Sequence, residues 1–341
     1  MGSTVVRVAF LGFGSVGRAL HALLERRRDA LAREHGIVCI VTGVASRSIG
    51  WRANAAGFDP SRPTGAACRD IHHWLAESGA DVVFEAIALD PHTGQPALDY
   101  LRAVLEHGAH AISANKGPLV HGYRELLHLA ADCGLQYRFE AAVMDGAPVF
   151  SLVRECLPLA RLRSVRGVFT STATVVLEAV EEGRSIDEGI ARAQRLGIAE
   201  ADPSYDVEGW DSAVKLCAVA NVLLGGDLRP GDVVREGIRS LTEIAVQQAR
   251  AEGRPYRLVG EVGRDVAGVI RARVAPMQCS TVDALGVVRG ATLVMHYEAE
   301  VFPGGLTVTS LDPDPTTTAY GMLADLVSIA RTNGRGVLGP E

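Results

Sequence analysis

The stretch VVRVAFLGFGSVGRAL, residues 5–20, decides the fold. Val5–Leu11 is a short run of apolar and β-branched residues, the composition of a strand buried on both faces. It enters Gly12-Phe13-Gly14-Ser15-Val16-Gly17, and Arg18–His35 follows with helical character and a stop at Gly36. This strand–turn–helix order is the setting in which a G-x-G-x-x-G run carries meaning. Gly12 permits the tight turn, Gly14 lets a pyrophosphate approach the backbone, and Gly17 allows close helix–strand packing. Phosphates then lie at the positive end of the helix. The alternative is a plain tight βα turn.

Further strands are expected at Ile37–Ala45, Asp81–Ala88 and His110–Ser113, with helices over Ile71–Ser78 and Gln95–His107. Strands alternating with helices predict an α/β, Rossmann-like doubly wound parallel sheet. Where an NAD-preferring site places an acid, at the end of the second strand, this chain reads Ser46-Arg47-Ser48. An arginine between hydroxyls suits a 2′-phosphate and points to NADP; it also fits an arginine exposed on a loop. Ser113-Ala114-Asn115-Lys116-Gly117 follows its strand directly, at the edge where such sheets bind ligands. Lys116 there suits a contact to substrate or cofactor, or is a solvated loop lysine.

A helix near Tyr123–Cys133 precedes Leu135–Ala142, read as a strand ending in Glu140. A buried carboxylate needs a partner: a cation shared with nearby carbonyls, or a salt bridge or cap. A helix is expected from Val149. Arg166–Phe169 reads as a strand leading into Thr170-Ser171-Thr172-Ala173-Thr174, a hydroxyl-rich turn that opens a helix over Val175–Glu182. Those hydroxyls cap the helix or face the cofactor. From Gly237 to Leu311, segments such as EIAVQQA, RLVGEVG, GVIRARVAP, ATLVMHYEA and GLTVTS suggest a mostly antiparallel sheet. The expected organisation is a dinucleotide-binding domain over 1–136, an α+β substrate and dimerisation domain over 137–310, and a C-terminal helix, Thr318–Arg331 within 311–341, returning to the first domain.

Composition narrows the class. The chain has 341 residues, 48% of them apolar and 22% charged, with a net charge of −6, which argues against general nucleic-acid binding. No uninterrupted apolar run reaches the roughly 18 residues that span a bilayer. The N-terminal segment lacks the pattern of a secretory signal, so a cytoplasmic location is expected. The six cysteines, Cys39, Cys68, Cys133, Cys156, Cys217 and Cys279, have no metal-binding spacing and read as buried reduced thiols.

The chemistry concentrates in GIAEADPSYDVEGWDSAVK, residues 197–215, which carries Glu200, Asp202, Asp206, Glu208, Asp211 and Lys215. Asp211 and Lys215 are four apart, so a helix over 210–224 puts both on one face. A carboxylate beside an ammonium holds it charged and aimed, ready to donate a proton, while the other acids suit a cationic substrate group. A capped, solvated helix start with an ordinary exposed ion pair has the same spacing.

GFGSVG at 12–17, SANKG at 113–117, EAAVMDGAP at 140–148 and the 197–215 stretch together resemble homoserine dehydrogenases, in the short form without a C-terminal regulatory ACT domain. The resemblance covers nearly the whole chain. It implies an NAD(P)-dependent oxidoreductase that reversibly reduces aspartate 4-semialdehyde to homoserine, on the way to threonine, methionine and isoleucine, and it implies a homodimer. It makes Lys215 the proton donor and acceptor, with Lys116 close by and Asp211 beside it. Glu200, Asp206, Asp211 and Lys116 become substrate ligands. Gly12, Phe13, Gly14, Ser15, Val16, Gly17, Arg47, Ser113 and Lys116 become cofactor contacts. Glu140 with the carbonyls of Val143, Asp145 and Ala147 becomes a sodium or potassium site. The chain has Thr170-Ser171-Thr172 where the family usually has N-G-T or N-S-T, and Leu311-Asp312-Pro313-Asp314-Pro315 where it tends to show a glycine-rich run. Two other readings are a paralogous reductase of a related amino-acid aldehyde and a nucleotide-binding sensor without catalysis.

Overall fold

The structure, a computed structural model, describes residues 3–334. The chain divides into two compact units, residues 1–146 with 314–341 and residues 147–313.

The first unit runs β1 (Thr4–Leu11), α1 (Ser15–His35), β2 (Ile37–Ser46), β3 (Gly50–Ala53), β4 (Ala66–Cys68), α2 (Ile71–Ser78), β5 (Val82–Glu85), α3 (Ala97–His107), β6 (His110–Ser113), α4 (Lys116–His121), α5 (Tyr123–Asp132) and β7 (Tyr137–Arg138). Its sheet has the order β4-β3-β2-β1-β5-β6-β7. β1 pairs parallel with β2 on one side and β5 on the other. The strand order therefore reverses beside β1, which makes the carboxyl ends of β1 and β5 the switch point of a doubly wound sheet. Val8 and Phe10 are fully buried, as the continuous apolar run requires. β3 and β4 extend the sheet antiparallel, an addition that the short segments GWRA and AAC do not announce in the sequence.

A C-terminal helix, Pro315–Gly334, also belongs to this unit and packs on α1. Ala319, Met322, Leu326 and Ile329 repeat at helical spacing and enter the cluster that holds Leu20, Leu23 and Leu24. The helix starts three residues before the expected Thr318, because Asp314 caps it. Asp314 Oδ1 accepts from the N–H of Thr316 at 2.7 Å and of Thr317 at 3.0 Å, and these bonds hold its carboxyl below the usual range. Pro315, which has no N–H to lose, stands at the first helical position. LDPDP is thus helix-start chemistry.

The 135–142 segment departs from its expected form. Only Tyr137 and Arg138 pair with β6, and Glu140–Ala142 is a 3-10 turn. Glu140 is buried, and its N–H donates to Asp325 Oδ2 on the C-terminal helix at 2.8 Å. Gly146 lies so close to Thr317 and Gly321 that a side chain there has no room. These contacts carry the first unit to Gly146, ten residues past the expected 136.

The second unit contains α6 (Val149–Ser151, continued as a π-helical stretch over Leu152–Cys156), β8 (Leu162–Val168), α7 (Ser171–Glu181), α8 (Ile186–Arg195), α9 (Ser204–Val207), α10 (Trp210–Leu223), β9 (Val234–Arg235), α11 (Glu243–Ala251), β10 (Tyr256–Arg264), β11 (Ile270–Gln278), β12 (Leu293–Ala299) and β13 (Phe302–Ser310). The sheet order is β13-β12-β8-β10-β11-β9, antiparallel except where β9 meets β11. EIAVQQA, expected as a strand, is helix α11. Thr242 caps it by accepting from the Ala245 N–H at 3.3 Å, and Val246 and Ala249 turn one buried face inward. Local capping and the 3.6-residue period outweigh two β-branched residues there.

All six cysteines are free, but only Cys217 and Cys279 are buried outright, while Cys133 and Cys156 are exposed. Burial pushes the Cys217 thiol to about 12 and the Cys279 thiol to about 11, which keeps both protonated and inert. Among the described residues no helix is long and apolar enough to cross a membrane.

Met322 is fully buried in the α1 contact, whereas Tyr320, two residues earlier, is exposed. Met322→Ala is expected to lower the unfolding free energy by about 2–5 kcal/mol, and Tyr320→Ala to change it by no more than about 0.5 kcal/mol. Urea titration of the two variants checks this; equal costs would mean that the helix does not anchor the unit as described.

Candidate functional site

In the first unit the glycine turn joins β1 to α1. Gly12 has φ +101°, and a side chain on it would run into the Ala86 backbone. The turn is pinned on both sides: Gly12 N–H donates to Ala45 O and Ala86 N–H to Leu11 O, each at 2.8 Å. Gly17 sits against the Gly12 carbonyl, where a Cβ would come within 2.5 Å. Gly14 differs: no atom lies within 4 Å of its missing Cβ. It is the N-cap of α1 and no side chain caps that helix. Open space above an uncapped helix N-terminus is the geometry that a phosphate fills.

A cavity of about 450 Å³ opens at the carboxyl ends of β1, β2 and β5, lined among others by Leu11, Ser46, Arg47, Trp51, Ile87 and Tyr100. Arg47 is exposed at its rim. Ser46 Oγ accepts from the Ile49 N–H at 3.1 Å, which closes the loop that presents Arg47. The cavity's aromatic side is braced by edge-to-face contacts of Trp51 with Trp74 and Tyr100. The glycine turn, the open helix end and this cavity fit a dinucleotide.

Lys116 begins α4 and is half-buried. Asn115 caps the helix, its Oδ1 accepting from the Gly117 N–H at 2.9 Å. Ser113 is fully buried, and its hydroxyl donates to Glu85 Oε2 at 2.5 Å. That hydroxyl is turned into the protein, so a cofactor contact through it is not what the geometry offers. Glu85 is the acid that sequence reasoning missed. The signal was present: it is the only charge in the interior of the apolar strand DVVFEAIA. Burial pushes its carboxyl up, opposed by bonds from Ser113, the Ile87 N–H and Asn115.

In the second unit α10 is buried over most of its surface, and its only charged residues are Asp211 and Lys215. Their side chains are 13% and 12% exposed and make an ion pair of 2.9 Å. That excludes the solvated reading of the spacing. Lys215 Nζ also donates to the carbonyl of Phe169 at 2.7 Å. This carbonyl is well placed because the Phe169 ring lies across two glycines. A Cβ on Gly167 or Gly260 would come within 2.8 and 2.9 Å of the ring. Asp211 lies in the first turn of α10, where the helix dipole favours its negative charge. A carboxylate and a carbonyl on one ammonium fix its direction and let it give and retake a proton.

The hydroxyl run begins α7 at Ser171, earlier than expected, and it makes no side-chain cap. Thr172 Oγ1 instead donates to Asp206 Oδ2 at 2.6 Å, and Thr174 Oγ1 bonds back to the Thr170 carbonyl at 3.3 Å. Asp206 is thereby tied to the start of α7. The other acids separate. Asp202 is spent on a local turn with Ser204, and the side chains of Glu200 and Glu208 are exposed. Gln194 holds the Glu200 backbone through its carbonyl at 3.2 Å. Of the residues expected as cation ligands, Glu140 and Val143 are buried, Asp145 takes a left-handed φ of +48°, and the Ala147 carbonyl accepts from the Val149 N–H. Among the described residues no group of three or more His, Cys, Asp or Glu could hold a metal ion.

Two family models match this chain: homoserine dehydrogenase over residues 148–327, and the homoserine dehydrogenase NAD-binding domain over residues 12–140. The NAD(+)-dependent homoserine dehydrogenase of Pseudomonas canavaninivorans is 32% identical, over 97% of this chain and 98% of its own. The homoserine dehydrogenase of Methanocaldococcus jannaschii is 28% identical, over 94% and 98%. The crystal structure of a putative homoserine dehydrogenase from Archaeoglobus fulgidus superposes with a TM-score of 0.84 at 29% identity, over 95% of this chain and 99% of that one. Its counterpart from Thiobacillus denitrificans gives 0.85 at 26% identity, over 98% and 75%. A glycine turn set for a dinucleotide, a buried lysine–aspartate pair and these matches lead to one conclusion: the chain belongs to the homoserine dehydrogenase family.

Proposed function

We propose that Lys215 is the acid–base group of the reaction and that NADP is the preferred cofactor. The chain is an NAD(P)-dependent oxidoreductase acting on a CH–OH group, and its reaction is the interconversion of aspartate 4-semialdehyde and homoserine. The nicotinamide, when bound, supplies and takes up the hydride. The protein supplies the proton. In reduction, Lys215 protonates the substrate oxygen as it becomes a hydroxyl; in oxidation, the neutral amine takes that proton back. Asp211 and the Phe169 carbonyl keep Nζ aimed through both directions. The observation that carries this role is the 2.9 Å pair inside an otherwise apolar helix.

Asp206, with Thr172 behind it, Asp211 and Glu200 complement the substrate ammonium, and Lys116 complements its polar end. The backbone from Gly12 to Gly17 holds the pyrophosphate. Arg47 at the cavity rim supports the 2′-phosphate reading. The NAD(+)-dependent relative favours a second reading, in which Arg47 is only a rim residue and NAD serves. Glu140 and the carbonyls of Val143, Asp145 and Ala147 offer one carboxylate and neutral oxygens, a donor set suited to sodium or potassium. A homodimer, as the resemblance implies, and a cytoplasmic location, as the N-terminal segment suggests, complete the proposal.

Lys215→Ala is expected to lower kcat for homoserine oxidation by roughly 10²–10⁴. NADPH affinity, read by fluorescence, should stay within about threefold and so report an intact fold. A variant that keeps more than about a tenth of the rate would exclude the role. Arg47→Ala should weaken NADP by roughly tenfold or more and NAD hardly at all; equal losses would favour the NAD reading. At constant ionic strength, replacing choline by sodium or potassium should raise the rate of the unaltered enzyme, and Glu140→Gln should abolish the response. A rate indifferent to the cation would remove the ion from the proposal.

A further inference from the structure

Glu85 ends β5 at the switch point of the first sheet, fully buried. A carboxylate in that position ordinarily has a cation beside it. Here the described residues provide none. Its partners are a hydroxyl, a backbone N–H and a side-chain amide. Ile87 N–H donates to Oε1 at 2.9 Å, Ser113 Oγ to Oε2 at 2.5 Å, and Asn115 Nδ2 to Oε1 at 3.3 Å. Tyr137 is also buried, and the charge of Glu85 adds to the burial that pushes its hydroxyl well up.

The directions of these bonds are determined. Asn115 Oδ1 accepts from the Gly117 N–H at 2.9 Å, so the amide must turn its NH2 to Glu85. Ser113 Oγ accepts from the Asn115 N–H at 3.0 Å and gives its hydrogen to Glu85 Oε2 at 2.5 Å, a much shorter bond than the 3.4 Å to the Asn115 carbonyl. One carboxylate therefore gathers the side chains of Ser113 and Asn115, and through them the backbone at 115 and 117. Lys116 lies between those two backbone anchors. The loop cannot shift without leaving a buried acid or its donors unsatisfied.

We propose that Glu85 is the positioning residue for Lys116: acting through Ser113 and Asn115, it fixes the start of α4 and so the place of the lysine. The inference rests on the reading of Lys116 as a substrate contact. It gives a use to Glu85, the one acid among the described residues with no exposed surface.

The test compares kcat/KM for homoserine in Ser113→Ala, Glu85→Leu and Glu85→Gln, each also combined with Lys116→Ala. Ser113→Ala and Glu85→Leu should each lower kcat/KM by about 10- to 100-fold, the usual result of displacing a positioned group by an ångström. Glu85→Gln should recover most of that loss, because the Ser113 hydroxyl can rotate to accept from the new amide. In the Lys116→Ala background the same changes should cost no more than about twofold, since the group they act through is gone. NADPH binding measures folding in every variant; if Glu85→Leu does not fold, Ser113→Ala carries the comparison. Equal losses with and without Lys116, or a loss that tracks weakened NADPH binding, would overturn the inference and leave the function standing. If Lys116→Ala alone leaves kcat/KM unchanged, the reading of Lys116 as a substrate contact fails, and the inference fails with it.

Discussion

An ammonium kept inside a nearly dry helix needs its charge answered at every turn. Asp211 answers it from the same face of α10, and the Phe169 carbonyl answers it from the end of β8. Removing either partner of such a pair leaves an uncompensated charge, at a cost of about 3–5 kcal/mol in comparable settings. Replacing both with apolar residues would often stabilise a protein. Such a pair is weak evidence for stability, and its place in WDSAVKLCAVANVL is better explained by chemistry. The supporting parts follow from that demand. Gly167 and Gly260 carry no side chains, and the Phe169 ring fills the space that a Cβ on either would need. A backbone oxygen cannot rotate away as a side chain can.

The first unit solves a different problem with the same economy. A pyrophosphate needs donors that are already aimed, and the start of a helix provides them once nothing else caps it. Gly14 leaves that end open, while Gly12 and Gly17 bring strand and helix close enough to hold the turn rigid. Glu85 stands at the next strand end and performs the corresponding task for the loop at 113–117. Both devices use backbone position, set by buried contacts, to place a charge-bearing partner.

What was legible in the sequence was what depends on spacing. The strand–glycine–helix run gave β1 and α1, and the four-residue step gave the Asp211–Lys215 face, because both are local and periodic. The misses were set by contacts far apart in the chain. EIAVQQA carries two β-branched residues, and only the cap from Thr242 and one buried face made it a helix. The 135–142 segment reads as a strand until Asp325, 185 residues beyond Glu140, takes the Glu140 N–H. Glu85 stood inside the expected strand 81–88, and two of its three donors lie about thirty residues on, beyond the reach of local spacing. Charged residues in 197–215 formed one cluster on paper, yet Asp202 and Glu208 serve local turns or solvent, and only Asp206 and Asp211 are tied to structure that surrounds Lys215.

The two segments that depart from the family's usual residues now have physical accounts that differ in kind. At LDPDP the change is architectural: Asp314 and Pro315 build a well-capped helix start, and the helix they begin supplies Ala319 and Met322 to the core. At Thr170-Ser171-Thr172 the change lies next to the residue that holds Lys215. The carbonyl that aims Lys215 belongs to Phe169, immediately before this turn, and the hydroxyl of Thr172 holds Asp206. A hydroxyl run is compatible with both tasks, because the first uses only backbone and the second needs only one donor. A substitution at Thr172 therefore acts on Asp206, while the bond from Lys215 to the Phe169 carbonyl uses no side chain of the turn. The direction of Lys215 thus rests on the main chain at Phe169, and the place of Asp206 rests on a side chain of the turn.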